Sequence, residues 1–324
     1  MPLPLPPIPD LSECLRRLVY QIPLGRVATF GDLADALGDP VAARWVGRMA
    51  AEKAPSETCP WHRVVRADGS LSPLPAHADL PRRRRLACEN IAVREGRVDL
   101  TQLRFRGFQS DRPLAQLRAC QQQLARKLRR SPRKRIPALV AGVDVAYPDS
   151  RWAQAAYALV EAESGRLVWS ETVRRRVEFP YITSYLSFRE LPILLTLFDV
   201  VRAADKLAEV VLVDGSGILH PSGAGIAAHL GVVASMSTIG VTKKLLCGDV
   251  AIEGMRPGEA RPVLIGGRPT GLALRPTSGT RRPIFISPGH RVDLTYCERM
   301  VRGVMLDRRL PAPIYWADRF SRTT

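Results

Sequence analysis

Apolar positions in the first hundred residues recur at helical spacing in short bursts divided by turn signals, whereas from residue 136 they gather into strand-like runs. Leu11, Leu15, Leu18 and Ile22 share one helical face, and Asp10 and Glu13 before it are spaced like a capping box. Thr29 with Asp32 caps a second, short helix that Gly38 ends, and Asp39-Pro40 starts a third through Arg44, Trp45 and Arg48. Helix, glycine-containing turn, helix is a helix-turn-helix outline. RFRGFQSDRP (104–113) interrupts the pattern, which places a domain boundary between residues 108 and 109. Beyond it, IPALVAGVDVAY, AQAAYALVEA and LVWSETVRRRVEF read as strands, followed by a helix from about residue 187. EVVLVDGSG is a further strand, IAAHLGVVA a helix and STIGVTK a strand. The expected class is α/β, with a mixed sheet flanked by helices in the second domain.

The 324 residues are 46% hydrophobic, enough for two cores. A net charge of +17 and a pI near 10.4 imply a polyanionic partner, with nucleic acid the first candidate. Residues 1–108 carry 16 basic and 12 acidic groups, or +4; residues 109–324 carry 32 and 19, or +13. The larger share of phosphate affinity is therefore expected in the second domain. The basic run RKLRRSPRKR (126–135) reads either as a solvated helix end or as a phosphate-tracking patch. No run approaches the roughly 18 apolar residues of a membrane span. The start, MPLPLPPIPD, lacks the features of a secretory signal, so the expected location is the cytoplasm with no membrane partner. Cys14, Cys59, Cys88, Cys120, Cys247 and Cys297 form no C-x-x-C pair, which argues against a zinc site or a disulfide framework.

Two apolar strands each carry one aspartate, Asp144 in AGVDVAY and Asp214 in VVLVDG. A carboxylate in such company costs several kcal/mol unless compensated, and a bound cation is the usual solution. Asp214 taken alone also reads as a turn former before glycine. Glu190, in LSFRELP, supplies a third oxygen ligand, and a set of carboxylates without Cys or His suits Mg2+ or Mn2+. PYITSYLSFRELP (180–192), VDGSGILHP (213–221), TIGVTK (238–243) and SPGH (287–290) fall in the order and spacing of endonuclease V, which the chain resembles over residues 112–307.

That resemblance implies a ribonuclease H-like fold and hydrolysis of a phosphodiester on the 3′ side of hypoxanthine, one nucleotide beyond the lesion. It implies that Asp144, Glu190 and Asp214 hold the ions, that Lys243 offsets charge on the phosphate, and that His290 positions or deprotonates water. Tyr181 corresponds to a wedge beside an extruded base, and Leu186, Gly215, His220 and Gly225 to the pocket enclosing it. Thr183 and Ser184 stand where the family carries proline and glycine. His229 matches no catalytic position and reads as structural.

IPLGRVATFGDLADALGDPVAARWVGRMAAEKAPSETCPWHRVVRADGSL resembles the DNA-binding domain of the O6-alkylguanine-DNA alkyltransferases, whose hallmark Pro-Cys-His-Arg-Val here reads Pro60-Trp61-His62-Arg63-Val64. The cysteine of those enzymes accepts the alkyl group, and an indole cannot. The substitution marks the alkyltransferase-like proteins, which implies a winged helix-turn-helix domain that binds alkylated guanine without repairing it. Phe30, Arg44, Trp61, His62 and Arg63 are the sensor residues so implied. Arg44 fills the space of a flipped nucleotide, with Arg48 one turn on, and Phe30 replaces a family tyrosine. Cys59 precedes the proline and is poorly aimed to serve as a relocated nucleophile. Pro73 and Pro75 depart from the family's glycine-containing loop.

The combined reading is a DNA-repair fusion acting on damaged DNA, able to recruit other repair proteins. The alternatives are a non-catalytic damage scout and an endoribonuclease acting on inosine-containing RNA.

Overall fold

Capping chemistry organises the N-terminal part of the computed structural model, which describes residues 7–53, 58–72, 76–276, 279–280, 282–306 and 308–323. The chain divides into two units, Pro7–Ala119 with Phe179–Thr183, and the rest from Cys120 onward. In the first, Asp10 Oδ1 accepts the Glu13 amide at 3.0 Å and starts α1 (Leu11–Tyr20). Strand β1 (Ala28–Thr29) runs into α2 (Phe30–Leu37) through a reciprocal capping box. The Asp32 amide donates to Thr29 Oγ1 at 3.1 Å, and the Thr29 amide to Asp32 Oδ2 at 2.9 Å. Gly38 ends the helix at φ 104°, where a Cβ would lie 2.6 Å from the Ala115 nitrogen, so glycine is required twice over. A 3-10 turn, Pro40–Ala42, leads into α3 (Ala43–Lys53).

Strand β2 (Val64–Val65) pairs in parallel with β1, and α4 (Ala76–Cys88) and α5 (Leu100–Leu103) follow. Val27, Val65, Leu71, Leu86, Ile91 and Val98 form one small buried cluster of this unit. Helix α2, the Pro40–Ala42 turn and α3 follow one another where the sequence outline placed a helix, a turn and a helix. Antiparallel pairing in this unit is limited, among the described residues, to isolated bridges at Ser70–Arg97 and Arg94–Arg97.

After α6 (Pro113–Ala125), the second unit is built on one eight-stranded mixed sheet. Strands β3 (Leu139–Ala146), β4 (Trp152–Glu161) and β5 (Leu167–Arg176) form an antiparallel meander. Helix α7 (Leu186–Ala203) crosses to β6 (Val210–Asp214), and α8 (Ile226–Val233) to β7 (Ser237–Thr242), which places β3, β6 and β7 side by side in parallel. Strands β8 (Ala260–Ile265), β9 (Arg268–Leu274) and β10 (Ile284–His290) extend the far edge in antiparallel fashion, giving the order β5-β4-β3-β6-β7-β10-β9-β8. Two more helices, α9 (Leu294–Gly303) and α10 (Ala312–Arg322), complete the unit.

Because side chains alternate along a strand, Ala141, Val143, Val211 and Val213 pack under α7 and α8, while Val140, Val210 and Leu212 face the core shared with α9 and α10. Gly142 lies on this second face, and a Cβ there would sit 2.2 Å from the Pro313 carbonyl carbon. Helix α10 therefore seats directly on the β3 backbone. Gly142→Ala should lower stability by about 1–3 kcal/mol through overpacking and lift α10 from the sheet, which urea denaturation of the full chain will measure.

His229 on α8 is 2% exposed, with its ring edge-on to Phe188 at 5.4 Å. Burial, reinforced by His220, pushes its pKa down to about 4. The unfolded chain then binds the extra proton between about pH 4 and 6.5, so this contribution to stability is fully present above the upper value and is lost as pH falls. The slope is about 1.4 kcal/mol per pH unit. Urea midpoints at pH 7 and 5 should differ less in His229→Gln than in the parent, and an equal difference would refute the assignment.

Candidate active site

The alternation that seats α10 also aims the two strand aspartates. Asp144 and Asp214 share parity with Gly142 and Leu212, and the register Val143↔Val213 brings them alongside each other at the C-terminal ends of adjacent parallel strands. Asp318, from α10, meets them there: carboxylate oxygens of Asp144, Asp214 and Asp318 lie within 4.8 Å of one another. Lys243, just past β7, reaches Asp214 Oδ2 at 2.8 Å and Asp318 Oδ1 at 3.0 Å. One helical turn beyond Asp318, the hydroxyl of buried Ser321 donates to Asp144 Oδ2 at 2.6 Å, and Arg322 donates to Asp318 Oδ1 at 3.0 Å. An open cavity of about 600 Å3 adjoins this group, lined by Val145, Tyr147, Gln154, Ser321 and Arg322 among others.

Burial and then the neighbouring Asp214 charge push the Asp144 carboxyl up to about 6, against the pull of the Ser321 hydrogen bond. For Lys243 burial works against the charged form, but Asp214 and Asp318 outweigh it and raise the pKa. Burial also opposes ionisation of Asp318, and the bonds from Lys243 and Arg322 overcome it. Three carboxylates against the two cations Lys243 and Arg322 leave a net negative site, and an all-oxygen donor set of this kind fits a hard divalent cation.

Glu190 stands outside the 4.8 Å group. It sits on α7, which covers the opposite face of the sheet, and its Oε1 accepts from the Tyr147 hydroxyl at 2.9 Å. Burial, with Asp144 and Asp214 adding to it, raises its pKa to about 8. The Arg189 guanidinium lies 4.2 Å over the Tyr147 ring.

His290 is a correction to the expectation from sequence. Strand β10 runs antiparallel to β7, so His290 pairs with Thr238, whereas Asp214 pairs with Val241. Three residues of β7, roughly 10 Å at about 3.3 Å each, separate the two positions. The His290 ring accepts the Arg129 amide through Nδ1 at 3.3 Å, and burial pushes its pKa down to about 4. Asp318, conversely, has no signal in its own neighbourhood. WADRFS reads as an amphipathic helix with an ordinary surface acid.

The expected base-pocket residues gather at the turn after β6. Gly215 has no room for a side chain, since a Cβ would meet Ile226 at 2.3 Å, and a Cβ on Gly225 would meet Ser216 Oγ at 2.2 Å. His220 accepts the Ser222 amide at Nδ1, 3.1 Å, which leaves Nε2–H to donate to the Ser184 carbonyl, also at 3.1 Å. That carbonyl takes a second bond, from Gln121 Nε2 at 2.9 Å. Ser184 itself has φ 69°, the left-handed region in which glycine is at ease. Leu186 opens α7, half-buried. Tyr181 is 56% exposed.

In the N-terminal unit Arg44 and Arg48 are exposed on α3. Phe30 is half-buried, and its ring would lie 3.0 Å from a Cβ built on Gly47 of that helix. Trp61 is 4% exposed and sits in a 3-10 turn with His62 and Arg63. His62 Nε2 is 2.6 Å from Glu89 Oε1; burial lowers its pKa despite that carboxylate, so the neutral ring donates. Arg63 Nη2 donates to Glu89 Oε1 at 2.8 Å, and Nη1 to the Ile22 carbonyl at 2.7 Å. Cys59 is buried, which pushes its thiol up to about 11. Pro73 and Pro75 lie outside the described residues.

The profile of the endonuclease V family matches residues 122–319. That of the 6-O-methylguanine DNA methyltransferase DNA-binding domain matches residues 11–91. The bifunctional methyltransferase/endonuclease of Thermoplasma volcanium is 33% identical over 302 residues, which are 90% of this chain and 84% of that one. The catalytic domain of human endonuclease V is 31% identical, with a TM-score of 0.61, covering 66% of this chain and 96% of its own. Ciona intestinalis endonuclease V, solved with a DNA containing an inosine followed by a ribo-adenosine, is 26% identical with a TM-score of 0.59, over 65% of this chain and 97% of that one. With a family profile spanning more than half its length and an acidic group at the carboxyl ends of its parallel strands, the chain belongs to the endonuclease V family and carries a fused alkyltransferase-like DNA-binding domain.

Proposed function

We propose that the protein is a divalent-cation-dependent endonuclease that cuts DNA on the 3′ side of deaminated bases, with Mg2+ the ordinary ion and Mn2+ a substitute. The observation that carries the reading is the convergence of Asp144, Asp214 and Asp318 within 4.8 Å at one end of the sheet. These three would hold the cation, which when bound polarises a phosphoryl oxygen and lowers the pKa of water. Lys243, already shared between Asp214 and Asp318, lies where it can neutralise charge developing on the phosphate. Positive charge at this site also favours ionised Glu190, adding a further carboxylate to the field. Ser321 holds Asp144 Oδ2 by its hydrogen bond, so that Oδ1 would be left for the cation.

Tyr181, exposed, has the bulk to occupy the gap left by an extruded base. The base would then meet backbone at Gly215 and Gly225, where side chains are excluded, beside His220 and Leu186. The N-terminal helix-turn-helix, with the wing implied by the resemblance, would present Arg44 and Arg48 to DNA and recognise alkylated guanine. No alkyl transfer is expected, because Trp61 has no nucleophile and Cys59 is a buried thiol. In this it departs from the activity named for the Thermoplasma volcanium relative. The ribo-adenosine in the Ciona intestinalis complex favours one further reading, cleavage of inosine-containing RNA, which matched ribo- and deoxyinosine strands separate.

Purified protein should nick an inosine duplex with Mg2+ and stop with EDTA. Asp214→Ala and Asp318→Asn should each lower the single-turnover rate by on the order of 10^2-fold or more while DNA binding persists. Nicking by Asp214→Ala at the parent rate would sink the proposal. Ser321→Ala should weaken Mn2+ binding, followed by electron paramagnetic resonance without DNA, by about tenfold, as loss of a ligand-orienting hydrogen bond does. Ser321→Cys, similar in volume but a poor donor, should resemble the alanine variant.

A further inference from the structure

The basic run at residues 126–135 is not a solvated helix end. Helix α6 stops at Ala125, and the run continues as a turn and an irregular segment whose backbone is tied down at three points. The Arg129 amide donates to His290 Nδ1 at 3.3 Å, while its carbonyl accepts the Arg291 amide at 2.7 Å. Arg299 Nη2 donates to the carbonyls of Arg133 and Lys134 at 2.6 and 3.0 Å. Arg133 Nη1 donates to Ser237 Oγ at 2.8 Å.

These anchors put the run at the start of β7 and, through Glu209, just before β6, whereas the acidic group lies past the other end of the same strands. The five residues of β6 span roughly 17 Å at about 3.3 Å each.

Seven cations lie in this run: Arg126, Lys127, Arg129, Arg130, Arg133, Lys134 and Arg135. Arg133 and Arg135 share a single acid, Glu209, at 2.8 and 3.4 Å. The other five are exposed and make no ion pair among the described residues, and exposed Arg291 adds to them. A mobile segment relieves such repulsion by extending. One pinned by its own backbone cannot, and a polyanion offsets the repulsion instead.

We propose that the loop of residues 126–135, with Arg291, binds the phosphate backbone of a second duplex segment, apart from the one at the active site. This rests on DNA being the partner but not on nuclease activity. The two surfaces lie at opposite ends of the same strands, so a straight duplex crossing those strands at one end does not reach the other. The loop would hold the enzyme on undamaged DNA while the active-site end samples a neighbouring stretch.

The test uses the full chain with Arg126, Lys127, Arg130 and Lys134 all changed to Gln, none of which has a side-chain partner to lose among the described residues. In EDTA, binding to a long undamaged duplex should weaken, and the slope of log affinity against log salt should become shallower by roughly 3 to 4. Nicking of a short inosine duplex with Mg2+ should stay at the parent rate. An unchanged salt slope overturns the proposal, since the cations then serve only solvation. A matching loss on the short duplex overturns it as well, because the loop would then belong to the track of the scissile strand. Because the binding measurement is made without metal, failure of the nuclease reading leaves its outcome readable.

Discussion

Mutual repulsion among carboxylates is the constraint around which the second unit is built. Asp144, Asp214 and Asp318 approach within 4.8 Å in a place that is mostly shielded from water, and such an arrangement persists only if the surrounding structure holds it. Two strands deliver the first pair through backbone hydrogen bonds that cannot yield one at a time. Helix α10 delivers the third, and it can approach only because Gly142 offers no side chain to Pro313. Lys243 then bridges Asp214 and Asp318, and Ser321 donates to Asp144.

The neutral polar groups around this site point the same way. Gln121 and His220 both donate to the Ser184 carbonyl, which steadies a residue held in the left-handed region at φ 69° just before α7. That same helix carries Glu190 and Leu186. A loop fixed by convergent hydrogen bonds keeps its geometry before substrate arrives, as the proposed base pocket would require.

The N-terminal unit uses its ionisable groups differently. Glu89 binds both His62 and Arg63, and Asp32 binds Thr29 and Arg104, so the charges of the hallmark segment are spent inside the fold. Arg44 and Arg48 on α3 remain outside.

Local pattern was enough to read helices α1 to α3, the strands β3 to β7 and the apolar company of Asp144 and Asp214, because caps, turns and strand alternation are written in neighbouring residues. The family motifs added the residues of the proposed base pocket. What neighbouring residues could not show is which distant segments meet. Asp318 is an unremarkable acid on an amphipathic helix until Gly142 lets that helix sit on β3. His290 lies in a family motif, yet the antiparallel course of β10 carries it to the wrong end of β7. The chain by itself determined the chemistry on offer and its local scaffolding, and only strand direction and helix seating, which depend on contacts between residues far apart in sequence, decided which of those groups share a site.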